Sequence, residues 1–430
     1  MKMSKGEETG GKADNRCVVS LQLAFKETTT FNLERAVCSH GLFMMAPNRW
    51  DPVSKTLLRP LRLISSSLSL PVRISHPSPS DPLLVSVFGT SSLSSQDQNG
   101  ILAQVRRMLR ISDENDRVIG EFHNLHEAAK ESGFGRIFRS PTLFEDMVKC
   151  ILLCNCQWSR SLSMARALCE LQLDNHSTLS EDFQPKTPQS RERKREREIK
   201  HDVVMKLEAK YSEKKEKSSL DSSFIRETNS SSNSSKLLTS SRTDTAIAAD
   251  HISGHLPCQS AQLGDFPMPE ELAILDADCL AKRCKLGYRA QRIVSLAQNI
   301  VEHKVDLSML EELCQEFTLL MYDKLNEELS GICGFGPFTR ANVLMCMGFY
   351  HRIPADTETI RHLKQFHKRY STTRSVQKDI DAIYGKYAPF QFLAYWFELW
   401  DCYEKRFGKT GDMSPLHYHL ITASNMRKSV

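Results

Sequence analysis

Residues 331–361 read GICGFGPFTRANVLMCMGFYHRIPADTETIR, and this stretch decides the fold. Gly334 and Gly336 interrupt the chain between two segments that have helical periodicity. Glycine lets the backbone turn tightly at positive φ, and a helix that begins directly after such a turn leaves its first N–H groups without intrahelical partners. These groups and the helix dipole favour an anion, so we expect the turn to grip a nucleic-acid phosphate without reading base sequence.

An aspartate follows the second of these segments. Asp356 comes shortly after Pro354 and lies 18 residues beyond Phe338. Because aspartate followed by Thr357 and Glu358 is a good helix start, the side chain suits a helix cap. A carboxylate in a water-excluded site can also stabilise a developing cation or orient an attacking water. The two interpretations are compatible.

The combined pattern resembles the helix-hairpin-helix and Gly/Pro…Asp signature of the HhH-GPD superfamily of base-excision DNA glycosylases. The family's hairpin, apolar-Pro-Gly-x-Gly, is matched over residues 332–336, with Cys333 in the proline slot. Residues 354–357, PADT, resemble the Val-Asp-Thr around the family's catalytic acid. The resemblance implies that Asp356 is the catalytic residue. It also implies that the hairpin binds the DNA backbone through Gly334, Gly336, Phe338 and Thr339.

Phe338 decides the expected reaction subtype. In family members that also cleave the strand, a lysine holds this position and forms a Schiff base with the sugar. Phenylalanine cannot do so. The resemblance therefore implies either a monofunctional glycosylase that uses water or a protein that has lost the chemistry. Packing in the core at the first turn of a helix also explains Phe338.

Four further residues match positions of the 8-oxoguanine branch. The segment LGYRA at 286–290 is similar to that branch, which implies that Tyr288 wedges into the duplex and Arg289 contacts the orphaned base. Asn155 and Arg160 fall where the branch places a gap-filling asparagine and an opposite-strand arginine. A half-buried tyrosine at a helix start and arginines on a solvated face are the alternative explanation.

The expected base pocket departs from that branch. Phe392 and Trp396 stand where its members hold the oxidised guanine with a glutamine and a phenylalanine. The missing amide puts 8-oxoguanine specificity in doubt, and an aromatic pocket suits electron-poor alkylated bases. Ordinary helix packing competes as an explanation for both residues.

Composition and the positions of the cysteines indicate the general class of the protein and whether a cofactor is expected. The chain has 430 residues, a net charge of +5, 40% hydrophobic and 25% charged residues, which predicts a globular protein that can bind DNA and does not enter membranes. Its 13 cysteines are scattered and odd in number, as free thiols are in a reducing compartment. Downstream of Asp356 only Cys402 remains, so we expect no four-cysteine iron–sulfur cluster, no other metal site and no cofactor.

We predict an α+β fold with a mainly helical glycosylase body, a small N-terminal antiparallel β-domain and a long disordered insertion. The β-type runs are residues 18–25, 57–65, 72–75 and 83–88. The predicted segments are a disordered N-terminus (1–16), the β-domain (17–97), the first helical part (98–173), the insertion (174–265), the second helical part (266–410, hairpin at about 320–350) and a flexible C-terminus (411–430).

The expected function is hydrolysis of the N-glycosidic bond of a damaged base, alkylated or oxidised, flipped out of double-stranded DNA by a monomeric nuclear enzyme. The basic run RERKREREIK at 191–200 fits nuclear import or DNA tethering, and a solvated charged helix equally well.

Arg340 and Glu358 depart from the family pattern. They leave room for a protein that binds lesions or DNA structures without turnover, and a helical scaffold that does not bind DNA is a third possibility.

Overall fold

The computed structural model describes residues 18–25, 31–177, 264–315 and 317–426. The predicted disordered N-terminus and nearly all of the predicted insertion lie outside these ranges. Within the described ranges, no helix combines the length and the apolar character needed to cross a membrane.

The N-terminal part forms one antiparallel sheet with the strand order β1-β5-β4-β3-β2. Side chains along β3 and β5 alternate between buried and partly exposed, because successive residues of a strand point to opposite faces. The predicted antiparallel β-domain is thus confirmed. The strands are β1 (Val18–Leu23), β2 (Arg49–Asp51), β3 (Thr56–Arg62), β4 (Ser69–Ser75) and β5 (Leu83–Phe88).

The rest of the described chain is mainly helical, as predicted. Its α-helices are α1 (Leu33–Val37), α2 (Ser95–Leu109), α3 (Asp113–Leu125), α4 (Glu127–Ser132), α5 (Leu143–Leu153), α6 (Trp158–Ser177), α7 (Pro269–Ala273), α8 (Ala277–Arg283), α9 (Arg289–Val301), α10 (Leu307–Glu312), α11 (Leu319–Ser330), α12 (Pro337–Met347), α13 (Thr357–His367), α14 (Val376–Tyr384), α15 (Gln391–Phe407) and α16 (Ala423–Met426). Short 3₁₀ turns lie at Gly41–Met44, Leu313–Gln315, Gly385–Tyr387, Thr410–Asp412 and Pro415–Leu420.

Helix α5 is buried on every side from Leu143 to Leu152, including its charged residues. Arg59 of β3 reaches it, with Nη2 3.0 Å from Oε2 of Glu145, and Nζ of Lys149 lies 2.7 Å from Oε1 of the same carboxylate. Although burial alone would raise the pKa of Glu145, these two cations hold it at about 2. The sheet and the helical body are therefore joined by buried ion pairs as well as by apolar contacts.

The C-terminal segment differs from the predicted flexible tail. Residues 411–426 pack against the body: the indole N–H of Trp50 donates to the carbonyl of Gly411 (2.8 Å), and that of Trp158 to the carbonyl of Tyr418 (2.9 Å). Tyr418 and Met426 are buried. The two tryptophans lie hundreds of residues upstream, so local sequence gave no signal of these contacts.

Replacing Glu145 by glutamine should destabilise the fold by about 3–5 kcal/mol, because Arg59 and Lys149 would lose their shared counter-charge in a buried site. Urea denaturation followed by circular dichroism measures the effect. The folded pKa of Glu145 is depressed, so its contribution is present above the ordinary value of 4.5 and is lost as the pH falls toward 2.

The matched control is Glu114→Gln, because Glu114 pairs with Arg117 at the exposed surface of α3. That change should cost at most about 1 kcal/mol. Equal losses in the two variants would contradict the structural importance of the buried pair.

Candidate active site

The predicted hairpin is formed by α11, a turn over residues 331–336 and α12. Gly334 has φ +88, in the region that favours glycine, whereas Gly336 has φ −67 and is the N-cap of α12. The expectation of positive φ is therefore right for Gly334 and wrong for Gly336. A Cβ on Gly336 would have no atom within 4 Å, so this glycine leaves open space in front of the helix start.

Arg340 fastens the hairpin to the preceding helix. Its Nε donates to Oδ1 of Asn326 in α11 (2.9 Å), and its Nη1 donates to the carbonyl of Phe335 in the turn (2.8 Å). The side chain at this position, which departs from the family pattern, thus holds the turn in shape. Arg340 is a structural part of the hairpin.

The other end of α12 is held by two further arginines. Nη2 of Arg110 donates to the carbonyls of Met345 (2.8 Å) and Cys346 (3.0 Å), and Nη1 of Arg139 donates to that of Cys346 (2.9 Å). Cations are favourable at the carbonyl end of a helix. The helix is therefore fixed at its C-terminus, while Gly336 at its start is exposed.

Asp356 is partly buried and is the N-cap of α13, with Oδ1 accepting from the amide of Thr359 (2.8 Å). The hydroxyl of Thr359 donates to the carbonyl of Pro354 (2.6 Å) and lies 3.0 Å from the hydroxyl of the buried Tyr395 in α15. The carboxylate is thus bound to Thr359, a residue that is itself held by Pro354 and Tyr395. The cap geometry confirms that Asp356 starts a helix and leaves its second role to be tested.

Burial raises the pKa of Asp356, and the neighbouring Glu358 acts in the same direction, against the hydrogen bonds from Thr359. Glu358 itself is held by Arg361, with Nε 2.8 Å from Oε2, and by the hydroxyl of Tyr403 (2.7 Å). Glu358, which departs from the family pattern as Arg340 does, is therefore paired with Arg361. A poorly solvated carboxylate such as Asp356 interacts more strongly with a nearby cation than an exposed one does.

Several of the other predicted residues meet at the C-terminal end of α5. The hydroxyl of Tyr288 donates to the carbonyl of Cys154 (3.3 Å), and the next residue, Asn155, is exposed with φ +45. Arg160 is exposed as well, and its Nη2 donates to the carbonyl of Lys285 (3.2 Å). Asn155, Arg160 and Tyr288, which is 48% exposed, thus share one surface.

This surface is connected to the hairpin. Sγ of Cys154 lies 2.9 Å from Oγ1 of Thr339, in the first turn of α12. The guanidinium carbon of Arg292 lies 4.6 Å from the ring centre of Tyr288, and the side chain of Arg292 lies directly beside Gly334. The predicted wedge residues and the predicted phosphate grip therefore form one contiguous region.

Comparisons with solved structures find the same fold. A 3-methyladenine DNA glycosylase from Archaeoglobus fulgidus matches with a TM-score of 0.51 at 13% identity, over 89% of this chain and 98% of that one. An 8-oxoguanine glycosylase/lyase from Clostridium acetobutylicum matches in its apo form with a TM-score of 0.50 at 10% identity, over 89% and 96%. No protein-family model and no curated protein sequence matches the chain.

The chain has the fold of these DNA glycosylases. Both branches that the sequence resembles are represented among these structures, so the predicted fold is confirmed. The roles of individual residues within the glycosylase fold stay predictions, and the structure changes three of them.

Arg289, the residue predicted to contact the orphaned base, is turned into the protein. Its side chain is buried, and Nη2 donates to the carbonyls of Cys154 and Asn155, the latter at 3.1 Å. The guanidinium carbon also lies 4.6 Å from the ring centre of Tyr288. Within the glycosylase fold, Arg289 holds Asn155 and Tyr288 in place and does not present its own charge.

The side chain of Thr339 is also buried, because its hydroxyl contacts Cys154. Only its backbone amide, with that of Phe338, belongs to the first turn whose N–H groups lack intrahelical acceptors. Pro337 has no N–H and fixes the start of the helix. The predicted binding of the DNA backbone by Thr339 therefore stays a prediction, and it rests on the backbone amide of this residue.

The two predicted pocket residues differ in exposure. Phe392 is 1% exposed and stacks at 5.8 Å on Trp396, so it belongs to the core of the glycosylase fold. Trp396 is partly exposed, donates its indole N–H to the carbonyl of Ser39 (2.9 Å) and lies 4.4 Å from the ring of His40. Burial lowers the pKa of His40 to about 3, which keeps this aromatic neighbour uncharged.

Sequence reasoning missed Arg292. It lies one helical turn after Tyr288 in α9, and only the folded chain brings it against the hairpin. The spacing of Tyr288 and Arg292, four residues apart on a helix, was the available signal, since such residues share a face.

Gly334→Ala and Gly336→Ala should differ in stability although they lie two residues apart. At Gly334 an alanine is forced to a positive φ, which costs about 1–2 kcal/mol, and its Cβ would stand 2.4 Å from Cδ of Arg292. At Gly336 the conformation and the space suit alanine, so we expect only the loss of a better N-cap residue, below about 1 kcal/mol. Urea unfolding of both variants provides the measurement, and equal losses would contradict this geometry of the turn.

Proposed function

We propose that the protein is a DNA glycosylase that hydrolyses the N-glycosidic bond of a damaged base in double-stranded DNA. The observation that carries the proposal is the partly buried carboxylate of Asp356, fixed at the start of α13 in a chain with the glycosylase fold. Structural neighbours with this fold include DNA glycosylases that act on 3-methyladenine and on 8-oxoguanine according to their names.

The chemistry requires an anion near the sugar. As the base departs, positive charge develops on the sugar ring, as in other glycoside cleavages. The ionised Asp356 would stabilise that charge and orient or deprotonate the attacking water. Its contact with the Thr359 amide leaves the carboxylate in one orientation, so little reorganisation is needed when the charge appears.

The surface around Tyr288 supports extrusion of the base. A base in the stack shields its glycosidic bond, so the enzyme must rotate the nucleotide out and fill the gap. The ring of Tyr288 is half exposed and is packed against the guanidinium of Arg292. The amide of Asn155 and the guanidinium of Arg160 are exposed and can form hydrogen bonds with base edges. The amides of Phe338 and Thr339, with the open space at Gly336, would bind a backbone phosphate.

Two finer assignments belong to the proposal. Phe338 holds the lysine position, so water is the nucleophile and the enzyme does not cleave the strand. Trp396 and the uncharged His40 suit an electron-poor base that can carry positive charge, which favours an alkylated substrate over an oxidised one. We further propose that the enzyme acts as a monomer in the nucleus.

Asp356→Asn should abolish base release and leave the fold intact. Asparagine caps a helix as well as aspartate does. The folded pKa of Asp356 is raised, so its ionisation at neutral pH costs stability, and removing the charge should leave the melting temperature equal or higher. We expect the rate to fall by at least about 100-fold. In the parent enzyme the rate should also fall as the pH drops through this raised pKa.

The assay uses duplex oligonucleotides with single alkylated, deaminated or oxidised bases, followed by alkali to convert abasic sites into breaks. The matched control is Asp276→Asn, because Asp276 caps α8 through the same contact, with Oδ1 2.8 Å from the amide of Cys279. Equal base release by both variants would show that Asp356 is a cap alone. Tight, salt-sensitive binding without release by the parent protein would instead indicate a lesion-binding protein.

Borohydride trapping tests the reaction subtype. The parent protein should form no covalent adduct with a substrate oligonucleotide, because no lysine occupies position 338. Phe338→Lys should form an adduct if the side chain at this position faces the sugar. Phe338 is partly exposed, so the longer side chain can be accommodated. An adduct with the parent protein would mean that another amine attacks the sugar and that the monofunctional assignment is wrong.

A further inference from the structure

A second cluster of ionisable side chains lies in the C-terminal half of α13. His362 and His367 of this helix direct their Nε2 atoms at one carboxylate oxygen of Glu398 in α15, at 2.8 and 2.6 Å. The three atoms that can bind a metal lie within 4.8 Å of one another. The hydroxyl of Tyr384, the last residue of α14, donates to the other oxygen of Glu398 (3.3 Å).

The cluster has the chemistry and the access that a metal ion needs. His362 is fully buried, while the side chains of His367 and Glu398 are 26% and 32% exposed. Burial alone would raise the pKa of Glu398, but the two histidines lower it, so the carboxylate is ionised at neutral pH. Two imidazoles and one carboxylate are a donor set that Zn²⁺ takes, with a fourth position left for water.

We propose that His362, His367 and Glu398 bind one divalent transition-metal ion of the zinc class, which clamps α13 to α15. This site is independent of the glycosylase activity and departs from our expectation that the chain has no metal site. That expectation rested on cysteine spacing, whereas here the ligands are two histidines five residues apart and a glutamate on another helix.

Binding requires two small changes. Ligands of a tetrahedral zinc ion lie about 3.3 Å apart, so Glu398 must move away by about 0.7 Å from His367 and by about 0.5 Å from His362. The partial exposure of Glu398 and His367 gives them room to move. The Nε2 atoms must also lose their protons, which for His362 places the proton on Nδ1, a buried atom that has no hydrogen-bond acceptor among the described residues, so metal binding must offset this cost.

The competing state is a metal-free bridge in which both histidines simply hydrogen-bond to Glu398. Glu398→Gln separates the two, because an amide oxygen still accepts these hydrogen bonds but is a poor metal ligand. His367→Gln removes a ligand at a partly exposed position and serves as a second variant if the first does not fold. His417→Gln, at an exposed histidine of the C-terminal segment, is the control.

The experiment is calorimetric titration of the metal-stripped full-length chain with Zn²⁺, together with absorption spectra of the Co²⁺ form. We expect one equivalent to bind and to raise the melting temperature. Loss of even an outer-shell partner weakens metal sites about 10–100-fold, so Glu398→Gln and His367→Gln should each weaken binding at least about tenfold. His417→Gln should leave the affinity unchanged.

Two results would overturn the proposal. The first is the absence of saturable binding, or binding that both ligand variants retain, which would leave only the hydrogen-bonded bridge. The second is a thiolate-to-cobalt charge-transfer band, which would place the ion on cysteines such as the exposed Cys279 or Cys333.

Discussion

The candidate site depends on one constraint: α12 must be held in place along its length while the backbone amides of its first turn stay open. Every residue from Ala341 to Met347 is buried, and Arg110 and Arg139 bind the carbonyls at the end of the helix. Arg340 ties its beginning to α11. Because the helix is held in this way, the backbone amides that follow Gly336 point in a defined direction, and no side chain is needed to orient them.

The carbonyl of Cys154 is a second fixed point, and it organises the surface beside the hairpin. Tyr288 and Arg289 both donate to it, while the thiol of the same residue contacts Thr339. A single residue at the end of α5 thus links two helices that carry different parts of the proposed machinery. The burial of Arg289 is the cost of this arrangement, since its charge serves positioning and does not lie on the surface.

The sequence predicted the fold and the location of the site because those signals are local. The β-type runs predicted four of the five strands, and the Gly-x-Gly turn with Asp356 predicted the hairpin and the helix after it. The three-residue strand β2 escaped because it is too short to show alternation. What could not be predicted depends on distant partners. Glu145 is buried because Arg59 of another element reaches it, and Phe392 is core because Trp396 covers it.

The contact between Asp356 and the amide of Thr359 has a consequence for how this residue can change in evolution. One oxygen starts a helix whatever happens to the proposed sugar chemistry, so selection for folding alone would keep a capping side chain here, either aspartate or asparagine. An aspartate in a descendant is therefore weak evidence of turnover. An asparagine at this position would be more informative, since it satisfies the helix and would silence the proposed reaction.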